Sequence, residues 1–453
     1  MMGAKISSYY NKLRASFWFT PALMAFTICV LAANLLILDV YNQRHGFISF
    51  TWITLTGAEE ARAILTTIAG SMITVIAIVY SITIVSLSLT SQQFGPRLLQ
   101  NFMRDRGNQY VLGTVTATFL YCLLILRSVN ETPHNFFVPH ISILFALGMA
   151  ILCVGVLIYF IHHVSESIQV TNIISRISHD LAKLTDRLYP EKVKRDSNLH
   201  ETEQSIIEEL LKDFERQAET IRSGRSGYIQ SIDYAGLLDF ARGKDLIIRI
   251  LHRHGHFVMP GADLAQIFPK EAAQKEDLSE SVNSYFITGS KRTQEHDLEF
   301  LIDELVEIAG KALSPGINDP FTAVTCIDHL GAELCTLAQR VFPSILWRDH
   351  EKRVRIVSYP VSFGRLVDAA FNQIRQYGQR DAAVSIRLLE TVNKIIPFTW
   401  NEEQRSALFR QAKMIERGRL EGLAEEEDRQ KVHLRYQEIL TTLKESSEVE
   451  YGR

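Results

Sequence analysis

The sequence predicts a membrane α-helical domain of four transmembrane helices joined to a cytoplasmic α+β domain, which has a small β-rich subdomain and a helical C-terminal part. Two observations predict it. Four long apolar segments lie before His162 and His163. In the roughly 290 residues beyond that pair, strand and helix signals follow one another with no further apolar run long enough to span a bilayer.

The apolar segments cover about 17–38, 64–89, 110–126 and 141–161, each close to the roughly 20 residues that cross about 30 Å of hydrocarbon as a helix. Lys, Arg, Asp and Glu are absent from their interiors; Asp39 and Arg127 only flank them. Lipid therefore meets no formal charge. A soluble helix would show a polar face every few residues, and these do not.

Basic residues in short flanks set the expected orientation. Lys5, Lys12 and Arg14 precede the first segment and Arg97, Arg104 and Arg106 lie between the second and third, against Arg44 and Arg62 in the other long loop. The bias places the N-terminus inside, and four spans return the C-terminal part to the cytoplasm. The first segment is too long for a signal-peptide core and lacks a small-residue cleavage pattern, so it is expected to be retained.

Charge divides along the same boundary. Residues 1–163 hold nine basic and five acidic residues, a net +4, which leaves −7 for the rest of a chain whose total is −3. That acidic balance excludes a general nucleic-acid binder. Cys29, Cys122 and Cys153 lie in apolar spans, while Cys326 and Cys335 are nine residues apart on one predicted helix and face opposite ways. Neither a disulfide framework nor a Cys-x-x-Cys motif exists, as expected in a reducing compartment.

The second segment differs from the other three. Thr67, Gly70, Ser71, Thr74, Ala77, Ser81 and Ser88 fall within about 120° on a helical wheel and form one small, polar stripe. Such a stripe can line a hydrated path, with Thr67, Ser71, Thr74, Ser81 and Ser88 replacing part of an ion's hydration shell. It can equally serve close helix packing, because small residues let backbones approach. A second patch, Thr83, Ser86 and Thr90, leads into a juxtamembrane turn containing Gln93, Gly95, Pro96 and Arg97, a candidate coupling element between membrane and soluble parts.

Beyond the membrane domain (1–163), a helical stalk and hinge is expected over 164–226, ending in the Ser-Gly-Arg-Ser-Gly run at 223–227. A small β-rich subdomain follows over 227–290, with strand signals at 228–232, 246–251, 257–258 and 284–288. A mainly helical domain fills 291–453, interrupted by strand signals at 345–347 and 354–357 and ending in a charged helical tail from 402 to about 444. The tail's charges read as a solvated or coiled face.

The most distinctive local string is Ser314-Pro315-Gly316-Ile317-Asn318-Asp319-Pro320. Ser314 and Pro315 end one helix, Gly316 suits a left-handed stop, Asp319 is a good N-cap and Pro320 suits the first helical position. It is a connector between two helices, or an exposed helix start that binds an anion or a protein partner, with Arg292 nearby.

Several strings together resemble a known family: Gln92 to Arg97, Gly227-Tyr228-Ile229-Gln230 with Ile232-Asp233, Arg292-Thr293 followed by Asp297, and the Ser314 to Pro320 segment. They look like the bacterial predicted-membrane-protein family labelled domain of unknown function 2254. The resemblance covers nearly the whole chain and implies an inner-membrane protein of four spans plus a cytoplasmic domain. It carries no catalytic residues across.

His252, His254 and His256 alternate and could offer three imidazoles to zinc or copper if the stretch is a strand, although Gly255 favours a turn. Phosphate-loop, nucleophile-elbow, zinc-protease and dinucleotide signatures are absent, so no catalytic residue and no cofactor is assigned.

Two functions are expected. One is an oligomeric, homomeric channel or transport-related protein of the bacterial inner membrane, with the second span lining a path that the cytoplasmic domain gates. The other is a membrane-anchored sensor or scaffold whose cytoplasmic domain binds a small anion or a protein partner through Arg292, Thr293, Asp297, Ser314, Gly316, Asn318 and Asp319.

Overall fold

A computed structural model describes residues 18–45, 57–94, 105–132, 135–192, 200–269 and 278–451. The chain forms two compact units, 1–173 and 174–453.

In the first unit the four apolar segments become four helices long and apolar enough to cross a membrane: α1 (Phe19–His45), α2 (Ala58–Phe94), α3 (Arg106–Ser128) and α4 (His140–Ser167). The apolar stretch of α3 is 56% buried, against 17–22% for the other three. The shortest helix is therefore the centre of the bundle, and α1, α2 and α4 pack on it. Val115, Tyr121, Cys122 and Ile125 of α3 lie in the main apolar cluster, with Ile28 of α1, Leu65 and Met72 of α2 and Ile143 of α4. At 37 residues, α2 is about 55 Å long, well beyond the thickness of a hydrocarbon core.

A largely buried carboxylate near each end of the bundle is paired, as a low-dielectric environment demands. A short hairpin, β1 (Asn130–Thr132) and β2 (Asn135–Phe137), joins α3 to α4. Beside it, Asp39 of α1 accepts hydrogen bonds from the Ile141 amide (2.9 Å), the Ser142 amide (3.0 Å) and the Ser142 hydroxyl (2.6 Å). Asp39 thus caps the first turn of α4 from another helix. At the other end Asp105 caps α3 through the Gly107 amide (2.8 Å) and meets Nε2 of His163 at 3.0 Å.

The second unit opens with α5 (Val170–Leu188), an amphipathic helix that follows a break at Ile168 and Gln169 and continues across the boundary between the units. Its Ile174, Ile177, Leu181 and Leu184 are buried, and Thr185 donates to Glu333. Helix α6 (His200–Gln217) leads to two sheets. The larger contains β3 (Glu219–Arg222), β5 (Ile247–Ile250), β7 (Asp263–Phe268), β9 (Leu346–Arg348) and β10 (Val354–Ser358) in the order β3-β7-β5-β10-β9, antiparallel except for β5 with β10. The smaller is antiparallel, β6 (Phe257–Val258), β4 (Gly227–Ile232) and β8 (Phe286–Gly289) in the order β6-β4-β8.

The structure extends the expected strands in three ways, one of them β7, a strand over Asp263–Phe268 where none was expected. β9 and β10, more than fifty residues downstream of β8, join the same sheet as β5, so that sheet is not contiguous in sequence. β3 continues the apolar pattern of α6 and reads as helix until its partner β7 is known. Helix α7 (Tyr234–Gly243), capped by Asp233, and helix α8 (Leu278–Ser284) cover the sheets. The 223–227 run is a tight connection: the Ser223 amide donates to Ala262 O (2.8 Å), and the Gly224 amide donates to Oδ1 of Asn283 (3.0 Å).

Six helices complete the unit: α9 (Leu298–Ala312), α10 (Pro320–Ala338), α11 (Phe363–Gly378), α12 (Ala382–Ile395), α13 (Glu402–Gly422) and α14 (Glu426–Tyr451). α9 is buried on most of its circumference, as a helix packed by α10 and α11 must be. The charged tail is two helices, not one. Gly422 sits against the Gln379 carbonyl where a Cβ would collide, and the chain then reverses so that α14 packs on α12 and α13, burying Val432 and Ile439.

Candidate functional site

The two polar patches of α2 lie about half a turn apart on the helix. Thr83, Ser86 and Thr90 are buried in the bundle, on the face that also carries Ala61, Leu65, Ile68, Met72 and Val79. The other stripe points away: Thr67, Gly70, Ser71, Thr74, Ala77, Ser81 and Ser88 are all exposed on the outer surface of the unit. A Cβ at Gly70 would meet nothing within 4 Å. The hydroxyls are not idle, because Thr67 donates to Ala63 O (2.7 Å), Ser71 to Thr67 O (2.8 Å) and Thr74 to Gly70 O (3.4 Å). With their protons used inside the helix, these oxygens turn acceptor lone pairs outward.

Of the candidate coupling turn, Gln93 belongs to the last turn of α2, while Gly95, Pro96 and Arg97 lie outside the described residues.

In the second unit the structure gathers separated strings around the start of α9. Asp297 caps the helix, taking the Phe300 amide at 3.2 Å, and its other oxygen receives Nε (2.8 Å) and Nη2 (2.7 Å) of Arg292. Arg292 also donates Nη1 to Asp303 (2.7 Å). Gly255, left-handed at φ +81°, lets the loop between β5 and β6 pass so close to Asp297 that a Cβ would strike the carboxylate. The Gly255 amide donates to Ile229 O (2.9 Å), and Gln230 reaches Lys291 O (2.7 Å). Thr293 stands in extended conformation before the short helical turn at 294–296 and makes no side-chain cap.

Beside this brace lies a second one that sequence reasoning missed. Glu299 is bridged by Nη2 of Arg253 (2.8 Å) and Nε of Arg365 (2.7 Å). Acidic residues spaced along the first turns of α9 were the available signal; their arginine partners come from a loop and from α11, which no local pattern reveals. Burial, against the opposing pull of Arg292, raises the Asp297 pKa. Burial also acts against charge on Arg292, yet Asp297 and Asp303 together hold that guanidinium above its ordinary value. Tyr189, beside Glu299, Arg253 and Asp297, is pushed up to about 12, chiefly by burial.

The three alternating histidines do not converge. His252 and His256 bring their Nδ1 atoms to 3.4 Å, whereas His254 stacks on His296 with ring centroids 5.2 Å apart. Gly255 makes the turn that separates them. Burial lowers His254 to about 4, with His296 adding to it, and lowers His256 to about 4, with Arg253 and His252 adding. Both imidazoles are neutral at pH 7. Among the described residues, no group of three or more His, Cys, Asp or Glu is arranged to hold a metal ion.

The Ser314 to Pro320 string sits at the opposite end of α9, about 20 Å away along the helix axis, so the fold does not bring Arg292 to it. The left-handed residue is Asn318 (φ +51°), a residue type that tolerates that region, and not Gly316. Backbone amides in the loop are engaged: Asn318 donates to Ser314 O (2.9 Å) and Asp319 to Ala312 O (2.8 Å). Asp319 caps α10 through the Thr322 amide (3.2 Å) and hydroxyl (2.6 Å). Two large apolar side chains point outward from the loop, Phe321 (83% exposed) and Ile317 (48%), beside the exposed Asn318.

Comparison with known proteins adds identity at the level of family. The family described as predicted membrane protein (DUF2254) matches residues 14–394. The uncharacterized proteins MT1328 of Mycobacterium tuberculosis (strain CDC 1551 / Oshkosh) and Mb1321c of Mycobacterium bovis are each 31% identical over 375 residues, covering 82% of this chain and 70% of their own length. No solved structure matches.

Proposed function

The chain belongs to the DUF2254 family of predicted membrane proteins, and we propose that it works as an oligomeric channel or transport-related protein of the bacterial inner membrane. In this reading α2 faces a common axis of several copies and the second unit gates the path. One observation carries it: the small, hydroxyl-bearing stripe of α2 is on the outside of the bundle, while the face carrying Leu65, Ile68, Met72 and Val79, with Thr83, Ser86 and Thr90 further along, is packed inward. A lone protomer would show that stripe to lipid, which gains nothing from it; further copies of the same stripe give it hydrogen-bonding neighbours or water. The outward lone pairs of Thr67, Ser71 and Thr74 suit cations and water better than anions. Both termini lie in the cytoplasm, on the strength of the basic flanks.

The test is a flux assay on the full chain in proteoliposomes with Ser71→Cys and Ile68→Cys. A charged thiol reagent should block cation flux at Ser71→Cys and leave Ile68→Cys, on the buried face, untouched. Absence of flux for sodium, potassium and chloride alike sinks the reading.

The exposure of Ile317 and Phe321 favours a second reading, a membrane-anchored scaffold whose Ser314 to Phe321 loop docks an apolar surface of a protein partner. Under it, Phe321→Ser keeps the fold and abolishes co-purification of that partner from the native membrane, while flux through the protein is nil.

A further inference from the structure

Beside the tie between the first span and the last lies a groove of about 470 Å³. Asp39 of α1 accepts the Ile141 and Ser142 amides of α4, and Leu35, one turn earlier on α1, forms one wall. The other wall belongs to α4: Ile141, Leu144, Phe145, Gly148, Met149 and Leu152. Spacings of three and four residues place these on one face of the helix. Gly148 deepens the groove, since a Cβ there would meet nothing within 4 Å. Phe145 is braced from behind by Tyr121 of α3, whose ring centroid lies 5.1 Å away and whose hydroxyl donates to Ser142 O (2.9 Å). The wall is thus set before any guest arrives, which lowers the cost of binding one.

Lining, length and width select the guest. None of the seven lining residues has a polar side chain, so ordered water, which needs about two to four polar partners, has nothing to hold it. From the first turn of α4 to Leu152 the groove runs along about 16 Å of helix. That is close to half of a roughly 30 Å hydrocarbon core, the depth of one leaflet. Spread over this length, the volume corresponds to a section of about 30 Å². A second helix, roughly 10–12 Å across, has a section of about 80–110 Å² and would run the full depth of the membrane. A single hydrocarbon chain fits both measures.

We propose that the groove between α1 and α4 is a lipid site, which holds one acyl chain of a phospholipid from the leaflet on the side of the β1–β2 hairpin. The groove begins beside that hairpin, so the chain enters from its headgroup end and stops near the bilayer midplane. Elsewhere on α4, Ile151 and Val154 stand out into hydrocarbon and offer a passing lipid no cradle. A chain between Leu35 and Phe145 makes dispersion contacts on several sides at once, and it joins the first span to the last alongside the Asp39 cap. The site is independent of the outer stripe of α2, which contributes to neither wall.

The test uses the full chain in nanodiscs of phosphatidylcholine doped with the same lipid carrying a diazirine in the inner half of one acyl chain. After illumination, peptide mapping reads where the carbene has inserted. Met149 and Leu152, in the groove, are expected to carry more label than Ile151 and Val154, although the latter two are the more exposed. Gly148→Phe, which fills the groove, should abolish the excess. Gly155→Phe, at another open glycine of α4 outside the groove, should keep it. The wild-type map decides even if Gly148→Phe fails to fold. Label that simply follows exposure, or an excess that survives in folded Gly148→Phe protein, overturns the site. So does a groove face without label in a protein that Gly148→Phe shifts to smaller species by light scattering, because a second copy then fills the groove.

Discussion

The carboxylate of Asp39, at the end of α1, accepts both the amide (3.0 Å) and the hydroxyl (2.6 Å) of Ser142, in the first turn of α4. A helix that leaves the hairpin after α3 thereby receives its cap from a residue about a hundred positions earlier. Asp39 is 5% exposed, so the interaction is desolvated and ties the first span to the last.

Asp39→Ala should lower the stability of the membrane unit by about 2 kcal/mol, the upper range for loss of a helix cap. Asp39→Asn should recover part of that, since its amide oxygen still accepts. Thermal unfolding of the purified full chain in detergent checks both.

Gly255→Ala should destabilise the second unit by roughly 2–4 kcal/mol, because it places a side chain at positive φ and drives it into Asp297. Arg292→Ala should cost about 3–5 kcal/mol by leaving the buried Asp297 carboxylate without its cation. An Asp303→Ala variant should cost less, because Asp303 is the more exposed of the two carboxylates. Chemical denaturation followed by tryptophan fluorescence separates the three.

Stability should fall in mild acid through two named histidines. His254 and His256 have pKa values lowered to about 4 from 6.5, largely by burial. The folded protein therefore binds fewer protons than the unfolded chain between these values. The stabilisation is fully present above about pH 6.5 and is lost as pH falls toward 4. The double variant His254→Gln, His256→Gln should flatten the melting temperature across that window.

Gly70→Leu should leave the protomer's own stability nearly unchanged, since a Cβ there meets nothing within 4 Å. If copies assemble through the stripe, the same change should shift the protein to smaller species, because close approach requires small residues. Native mass spectrometry or light scattering in detergent reads the result.

Much was determined by the sequence alone. The number and placement of the spans follow from the cost of burying charge in hydrocarbon, which acts on every segment independently of its neighbours. The Asp319 and Pro320 start of α10 was legible for a similar reason, since capping chemistry is local. Tertiary structure decided what depends on partners distant in sequence. It set β10 beside β5 with β9 on its far side, ended the tail helix at Gly422, and brought Gly255 against Asp297 across some forty residues. It also decided which side of α2 faces the bundle. A wheel of the second span shows two polar patches half a turn apart, but only the packing of α3 buries Thr83, Ser86 and Thr90 and leaves the Thr67 to Ser88 stripe outside. Periodicity records that a helix has faces; what each face meets is settled by the neighbours that desolvate it.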